Sequence, residues 1–296
     1  MKLFYIVDAR IPHARNWITH FAKEGHEVHI VSTFPCEPLD APMASLNVIP
    51  LDFSARLRGG SGKTQYGSPF FARLRGGALW KNLARLRDEL CPLAVRIQSR
   101  RVRALIDRVQ PDLVHAMRIP FEGILAAEAV KNRLFPLVVS VWGNDFTLYA
   151  TQSPMIAGLT RRTMARTDAL HPDCEKDLWL GREWGLDSQK PSVVLPGNGG
   201  VYIDIFCPGP RDLLLAERLE IPDGAPVIIN PRGVKPYVRT DTFFQAIPII
   251  LKERPNAIFL GGMMQGNAVA ERWVEQLGLS ENVRLLPHVP QREMPA

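Results

Sequence analysis

The chain has 296 residues, of which 46% are hydrophobic and 22% are charged, and its formal net charge is +6. This composition is typical of a globular protein and excludes a disordered, collagen-like or coiled-coil chain. The length favours two domains. The apolar runs, such as residues 137–142, fall far below the ~18 residues that a membrane span needs. Asp8 and Arg10 stand where a signal peptide would remain apolar.

The four cysteines lie at positions 36, 91, 174 and 207 and form no C-x-x-C pair. Their spacing fits neither a zinc site nor a dense disulfide framework. Single, dispersed cysteines are typical of proteins in a reducing compartment. We therefore expect a cytoplasmic protein without a structural metal.

Short apolar runs alternate with helical patterns through the first two thirds of the chain. We predict strands over residues 3–7, 28–32, 112–116, 137–142 and 193–195, and helices over residues 13–23 and 123–132. Because strand and helix alternate, we expect a parallel sheet with helices on both of its faces.

The pattern starts again after the Pro- and Gly-rich segments at 196–200 and 207–210. Here we predict strands over residues 227–230, 257–260 and 283–286, and helices over residues 240–252 and 268–277. The organisation is therefore a domain over 1–200, a linker over 201–209 and a second domain over 210–296. Three strands make a small doubly wound domain, so we expect the second domain to be incomplete.

Positive charge is concentrated in residues 56–103, which contain twelve Lys or Arg and only two acids. Leucines at 79, 83, 86 and 90 recur there at helical spacing, as in a basic amphipathic helix. The sequence ARLRGG occurs at 55–60 and 72–77, and we predict a flexible loop between the copies. The segment is either a solvated helix face or a contact with an anionic membrane surface. We expect no nucleic acid, because no aromatic motif accompanies the arginines.

Several segments in this order resemble glycosyltransferase family 4. They are EGHEVHIVST at 24–33, PDLVHAMRIPFEG at 111–123, PLVVSVWGNDF at 136–146, VVLPGNGGVYIDIFCPG at 193–209 and NPRGVKPYVRTDTFFQAI at 230–247. The resemblance implies a GT-B fold, an α/β arrangement of two Rossmann-like, doubly wound parallel-sheet domains. It also implies that the family's acidic E-x7-E region lies beyond Ala296. Glu175 and Glu183 have that spacing in the first domain, and we interpret this match as accidental.

The resemblance implies a glycosyltransferase of glycan biosynthesis that transfers sugar with retention of configuration. Its substrates would be a nucleotide-diphosphate sugar and a sugar or lipid-linked acceptor, and the enzyme would work peripherally on the inner face of the membrane. No cofactor or metal is expected, because fixed cations and helix N-terminal amides can stabilise the charge on a leaving diphosphate. The donor-phosphate candidates are Arg232, Lys235 and Arg239. The family usually has Lys where this chain has Val238, so Lys235 or Arg239 would replace it.

The first domain is implied to face the acceptor. The acceptor-cleft candidates follow three of the predicted strands and are Arg10, His13, Arg15, Arg118, Glu122, Trp142, Asn144 and Asp145. Trp142 can stack on a sugar face, whereas Asn144 or Asp145 can bind sugar hydroxyls or cap a helix. We expect His115 to pack in the core, and we identify no catalytic residue.

The resemblance leaves alternatives open. One is a non-catalytic fragment of the family that binds only membrane or acceptor. Another is a GT-B sugar epimerase or phosphorylase. Product analysis with and without an acceptor separates the latter from a transferase.

Overall fold

The computed structural model describes residues 1–50, 78–195, 203–235, 237–289 and 294, with the side chains of 78–93 and 120 left aside. The chain forms two compact units, Met1–Gly200 and Val201–Ala296. Two sequence predictions lie outside the described residues. They are the loop between the two ARLRGG copies and the apolar and basic faces of the amphipathic stretch at 79–90.

The first unit contains a six-stranded, fully parallel sheet. Its strands are β1 (Lys2–Val7), β2 (Glu27–Ser32), β3 (Ser45–Val48), β4 (Leu113–Met117), β5 (Leu137–Val141) and β6 (Ala169–Pro172). Their order across the sheet is β3-β2-β1-β4-β5-β6. The order reverses between β1 and β4, which creates a crevice outside the carboxyl ends of these two strands.

Helices cover both faces of this sheet. They are α1 (Pro12–Lys23), α2 (Ala78–Val109), α3 (Ile124–Ala129), α4 (Pro154–Arg166) and α5 (Glu175–Glu183), and two π-helical turns cover Ile119–Gly123 and Asp145–Tyr149. Pro12 suits the first turn of α1, where its missing N–H has no helical partner. Among the described helices, even the 32-residue α2 has no stretch long and apolar enough to span a membrane.

The core of the first unit follows the alternation of side chains along the strands. Phe4 and Ile6 of β1 point to the face where α2 and α3 contribute Ile106 and Leu125. Tyr5 and other alternate residues point to the opposite face, where α1 packs. Both faces are thus buried, and this explains the nearly continuous apolar runs of the central strands.

The second unit contains a smaller parallel sheet in the order β7-β8-β9. Its strands are β7 (Val227–Asn230), β8 (Ile258–Gly261) and β9 (Val283–Leu285), and its helices are α6 (Leu213–Arg218), α7 (Thr240–Leu251) and α8 (Ala268–Gln276). The side chain of Asn267 accepts the N–H groups of Val269 and Ala270 and so fixes the start of α8. Pro248 lies inside α7, which continues past it.

Two of the sequence predictions for the first unit are wrong. Residues 193–195 form no strand, and only Ser192 makes an isolated bridge, to Leu170 of β6. The last strand is β6, whose sequence ALHP is too short and too polar to be detected as an apolar run. The predicted helix over 123–132 is also shorter, because α3 ends at Ala129.

Gly181 in α5 tests the packing of helix against sheet. A Cβ at this position would lie 2.6 Å from Cδ2 of Leu170, a leucine that is 1% exposed. In Gly181→Ala, overpacking should lower the free energy of unfolding by about 1–3 kcal/mol. The higher helix propensity of alanine restores only about 0.5–1 kcal/mol, so we expect a net loss of stability. Urea unfolding measures the difference.

Gly158 in α4 is the matched control, because a Cβ there would meet nothing within 4 Å. Gly158→Ala should therefore raise the free energy of unfolding. Equal effects of the two alanines would contradict the packing of α5 on β6.

Candidate functional site

The loops that follow β1, β4 and β5 meet at the carboxyl edge of the first sheet. Ligands of open α/β sheets bind at such an edge, beside the point where the strand order reverses. The acceptor candidates predicted from the sequence lie on these loops and on the first turn of α1. Most of these residues lie together and form one site, whereas Arg15 and Asn144 make backbone contacts that hold the loops.

Arg118 and Asp145 form the central ion pair of this edge. Nε and Nη2 of Arg118 both donate to Oδ1 of Asp145, at 3.1 and 2.8 Å. The other carboxylate oxygen accepts the backbone N–H groups of Ile119 and Trp142. Asp145 is fully buried, whereas 27% of the Arg118 side chain is exposed. The carboxylate thus joins the loops after β4 and β5 and leaves one side of the guanidinium open to a ligand.

The backbone of Arg118 has a φ of 95°, a value that L side chains rarely adopt. Its guanidinium lies 5.1 Å from the ring centroid of Tyr149, a distance at which cation–π attraction operates. Burial lowers the pKa of Arg118, but the charge of Asp145 and its hydrogen bonds outweigh this, so the pKa is raised. Arg118 therefore remains a fixed cation at this edge.

Glu122 lies on the π-helical turn after β4 and is 4% exposed. The Thr33 hydroxyl donates to its Oε1 at 2.6 Å. Burial raises the pKa of Glu122 to about 7. The hydrogen bond from Thr33 and the charge of Arg118 oppose this shift, whereas the charge of Asp8 adds to it. A carboxyl with this pKa gains or loses a proton close to neutral pH, as general acid–base chemistry requires.

Arg10 lies at the other side of the crevice, directly after β1. Its Nε and Nη2 donate to the two carboxylate oxygens of Asp8, at 2.9 and 2.8 Å. The ring of Phe34 lies 3.7 Å from the guanidinium carbon. These contacts hold the guanidinium in one orientation while 40% of the side chain remains exposed.

His13 and Trp142 add an aromatic surface to the site. Their rings meet edge to face with centroids 4.6 Å apart. Burial and the charge of Arg118 lower the pKa of His13. The indole Nε1 of Trp142 is buried and has no hydrogen-bond partner among the described residues. Trp142 is only 8% exposed, so little of its ring is available to a ligand.

Two of the predicted residues have other contacts. Arg15 donates to the carbonyl oxygens of Ala9, Glu37 and Pro38, and so its guanidinium ties the loop after β2 to the loop after β1. The carbonyl of Asn144 accepts from Leu148 and Tyr149, and its side chain makes no capping bond. The capping alternative for Asn144 and Asp145 is therefore wrong, because the Asp145 carboxylate binds the N–H groups of Ile119 and Trp142 instead.

A buried polar chain crosses the sheet beneath α1. Nε2 of His115 lies 2.8 Å from Oγ of Ser140, and this oxygen lies 2.9 Å from Nδ1 of His171. Because a hydroxyl donates only one proton, at least one of the two imidazoles must donate to Ser140. Burial lowers the pKa of His115 to about 3, so its ring is neutral. His115 thus lies in the core, as we expected.

Asp173 follows β6 and was missed by the sequence analysis together with that strand. Its Oδ1 is buried and has no partner among the described residues. Burial raises the pKa of Asp173 to about 6, and the charges of Asp177 and Asp145 act in the same direction. In the described part of the chain, no group of three or more His, Cys, Asp or Glu residues is arranged to hold a metal.

The predicted donor residues lie in the second unit, on the segment between β7 and α7. Arg232 is exposed, and its backbone N–H donates to Oδ1 of Asn230. Lys235 is half-buried. Arg239 directly precedes α7 and pairs with Asp241 at 2.9 Å. The structure therefore leaves Arg232 and Lys235 with fewer internal contacts than Arg239.

Comparison with known families identifies the first unit. The model of the glycosyl transferase 4-like domain family matches residues 11–197. The chain belongs to this family. The match covers α1, the loops after β4 and β5 and therefore most of the candidate site. No curated protein matches the chain.

Solved structures of low sequence identity share the fold of this glycosyl transferase 4-like protein. The α,α-trehalose 6-phosphate synthase of Burkholderia multivorans superposes with a TM-score of 0.62 at 12% identity, over 99% of this chain and 74% of that one. A glycosyltransferase of Rickettsia africae gives a TM-score of 0.58 at 15% identity, over 99% and 69%. The UDP-GlcNAc 2-epimerase of Neisseria meningitidis gives 0.55 at 13% identity, over 100% and 74%. The predicted fold class, α/β of GT-B type, is confirmed.

The central ion pair yields a stability prediction. Asp145→Ala leaves the Arg118 guanidinium and two buried N–H groups without their acceptor. We expect a loss of about 3–5 kcal/mol in the free energy of unfolding, as for other broken buried pairs. Urea unfolding followed by circular dichroism measures it.

Asp107 provides the control, because it pairs with Arg133 at the same 2.8 Å but both side chains are about two-fifths exposed. Asp107→Ala should cost less than about 1 kcal/mol. Similar losses of unfolding free energy in the two variants would show that Asp145 does not hold the loops after β4 and β5 together.

Glu122 yields a pH prediction. Its usual pKa of 4.5 holds in the unfolded chain, and folding raises it to about 7. The native state therefore binds more protons between these values, and stability falls as the pH rises through them. Glu122→Gln abolishes this contribution, and its amide oxygen still accepts from Thr33.

The measurement is the free energy of unfolding at pH 5 and at pH 7.5 in both proteins. We expect the wild type to lose stability relative to Glu122→Gln over this interval. Parallel pH profiles would contradict the raised pKa.

Proposed function

We propose that this glycosyl transferase 4-like protein moves a sugar from a nucleotide-diphosphate sugar to an acceptor with retention of configuration. The observation that carries the proposal is the carboxyl edge of the first sheet. Fixed cations, a carboxyl that titrates near neutrality and an aromatic ring lie on neighbouring loops there, most of them inside the family domain. Arg118 and Glu122 are its central members.

The acceptor is bound by the first unit. The open sides of Arg10 and Arg118 suit hydroxyl or phosphate oxygens, because guanidinium groups donate in a fixed fork. The imidazole of His13 adds a donor or an acceptor for sugar hydroxyls. Glu122 supplies a carboxyl that exchanges its proton at neutral pH. A sugar or a lipid-linked sugar fits this set of groups.

The donor is bound by the second unit. Arg232 and Lys235 follow β7, and the N-terminus of α7 begins a few residues later, so cations and helix amides can share the charge that grows on a leaving diphosphate. Arg239 is the third candidate, although Asp241 already holds it. Two structural neighbours support a nucleotide sugar: one is bound to UDP-GlcNAc and another to UDP. Neither a metal nor a cofactor is needed for this chemistry.

A second candidate function is epimerisation of a nucleotide sugar. It is favoured by the UDP-GlcNAc 2-epimerases among the structural neighbours, of which the Listeria monocytogenes protein gives a TM-score of 0.57. An epimerase converts its substrate without any acceptor, whereas a transferase joins the sugar to one. A protein that binds acceptor or membrane without turnover is the non-catalytic alternative.

Nucleotide binding tests the donor assignment. We expect UDP, GDP or ADP to bind with micromolar affinity in calorimetry. We expect Arg232→Ala to weaken this binding about 10–100-fold, because a charge-assisted hydrogen bond contributes about 1.5–3 kcal/mol. Arg254, an exposed arginine after the other end of α7, provides the control Arg254→Ala. Absence of binding by folded protein, or equal losses in both variants, would overturn the assignment.

A further inference from the structure

A basic pocket lies between α2 and the end of α3, apart from the loops of the candidate site. Its volume is about 230 Å³, well above the ~10–15 Å³ that a cavity needs to hold one water. Among the described residues, its lining comprises four cationic side chains, one carboxylate and two neutral polar side chains: Arg96, Arg100, Arg103, Lys131, Glu128, Ser99 and Asn132.

The three arginines come from one face of α2. Arg96, Arg100 and Arg103 are spaced i, i+4 and i+7, so their side chains are neighbours on the helix surface. Like charges at this spacing repel one another and destabilise a helix. A bound anion relieves this repulsion. Without an anion, three neighbouring cations on one helix face lower the stability of the helix.

Arg103 already has a structural task. Its Nε and Nη2 donate to the carbonyl oxygens of Ala129 and Glu128 at the end of α3. The hydroxyl of Ser99 is also used, because it donates to the carbonyl of Arg96. Arg103 thus fixes the wall of the pocket, and on α2 the guanidinium groups that face a ligand are those of Arg96 and Arg100.

Lys131 and Asn132 face these arginines from the segment after α3, and both are exposed. Glu128, the carboxylate among the described lining residues, has its Oε2 4.0 Å from Nζ of Lys131. At this distance, and with Lys131 60% exposed, the pair is weak and does not neutralise the pocket. The lining therefore retains a strong positive charge.

We propose that this pocket binds a phosphate monoester group, as a second site of the protein. Two guanidinium groups and an ammonium group match the charge of a phosphate dianion, which arginines bind through paired hydrogen bonds. The phosphate comes either from a soluble ester or from a lipid headgroup. The inference does not depend on the proposed function, because no residue of the candidate site contributes to the pocket.

The neighbouring position on α2 offers a matched control. Arg101 adjoins Arg100 in the sequence but lines a different cavity, beside the edge strand β3, together with Arg108, Leu105 and Val48. Both arginines are exposed cations of the same helix. Arg101→Ala therefore removes the same charge as Arg100→Ala without touching the phosphate pocket.

Two probes test the proposal and distinguish the sources of the phosphate. Inorganic phosphate is titrated by calorimetry, and vesicles of phosphatidylcholine with or without phosphatidic acid are tested by co-sedimentation. We expect Arg100→Ala to weaken binding of phosphate or of phosphatidic acid vesicles by about tenfold or more. Arg101→Ala should bind like the wild type, and thermal unfolding should confirm that both variants fold.

Binding of free phosphate supports a soluble ester, and binding of phosphatidic acid vesicles alone supports a lipid headgroup. Failure of both probes to bind the wild type would overturn the proposal. Equal weakening by Arg101→Ala would overturn it as well, because binding would then follow total charge rather than the pocket.

Discussion

The candidate site depends on one buried carboxylate. Asp145 has no exposed surface, and it accepts two hydrogen bonds from the Arg118 guanidinium and one each from the N–H groups of Ile119 and Trp142. A buried charge is stable only when it is paired and hydrogen-bonded, so these four donors must stay in place. They belong to the loops after β4 and β5. The same constraint therefore positions Arg118, begins the turn that carries Glu122 and seats Trp142 against His13.

Glu122 and the two arginines at the carboxyl edge of the first sheet have different surroundings. Around Glu122, burial and the nearby Asp8 carboxylate favour the neutral acid at a pH where an exposed glutamate is ionised. Around Arg118 and Arg10, paired carboxylates hold guanidinium groups that remain partly exposed. A proton-exchanging group thus lies beside fixed cations. This combination suits transfer of a sugar to an oxygen acceptor, and it agrees with membership of the glycosyl transferase 4-like family.

The sequence predicts those elements of the fold that have a clear local pattern of apolar residues. The strands β1, β2, β4 and β5 are mostly apolar runs, and α1 has an apolar face bounded by Pro12 and Gly25. β6 could not be predicted, because His171 and Pro172 make up half of its four residues and interrupt any apolar run. These two residues belong to a strand only through their pairing with β5, which is a contact between distant parts of the chain. Arg118 and Asp145 were each singled out, but their pairing joins residues from different loops and is visible only in the fold. The raised pKa of Glu122 likewise depends on burial, and the contacts of Arg15 with three carbonyl oxygens depend on how the loops after β1 and β2 meet.

The central claim is that the carboxyl edge of the first sheet takes part in glycosyl transfer. The most direct test is release of nucleoside diphosphate from a panel of UDP-, GDP- and ADP-sugars, with sugar acceptors present, by wild type, Glu122→Gln and Asp107→Ala. The account predicts that one class of donor is consumed, that Glu122→Gln lowers the rate about 100-fold or more, and that Asp107→Ala retains it. Donor consumption that is unchanged in Glu122→Gln, or no consumption by the folded wild type, would contradict it.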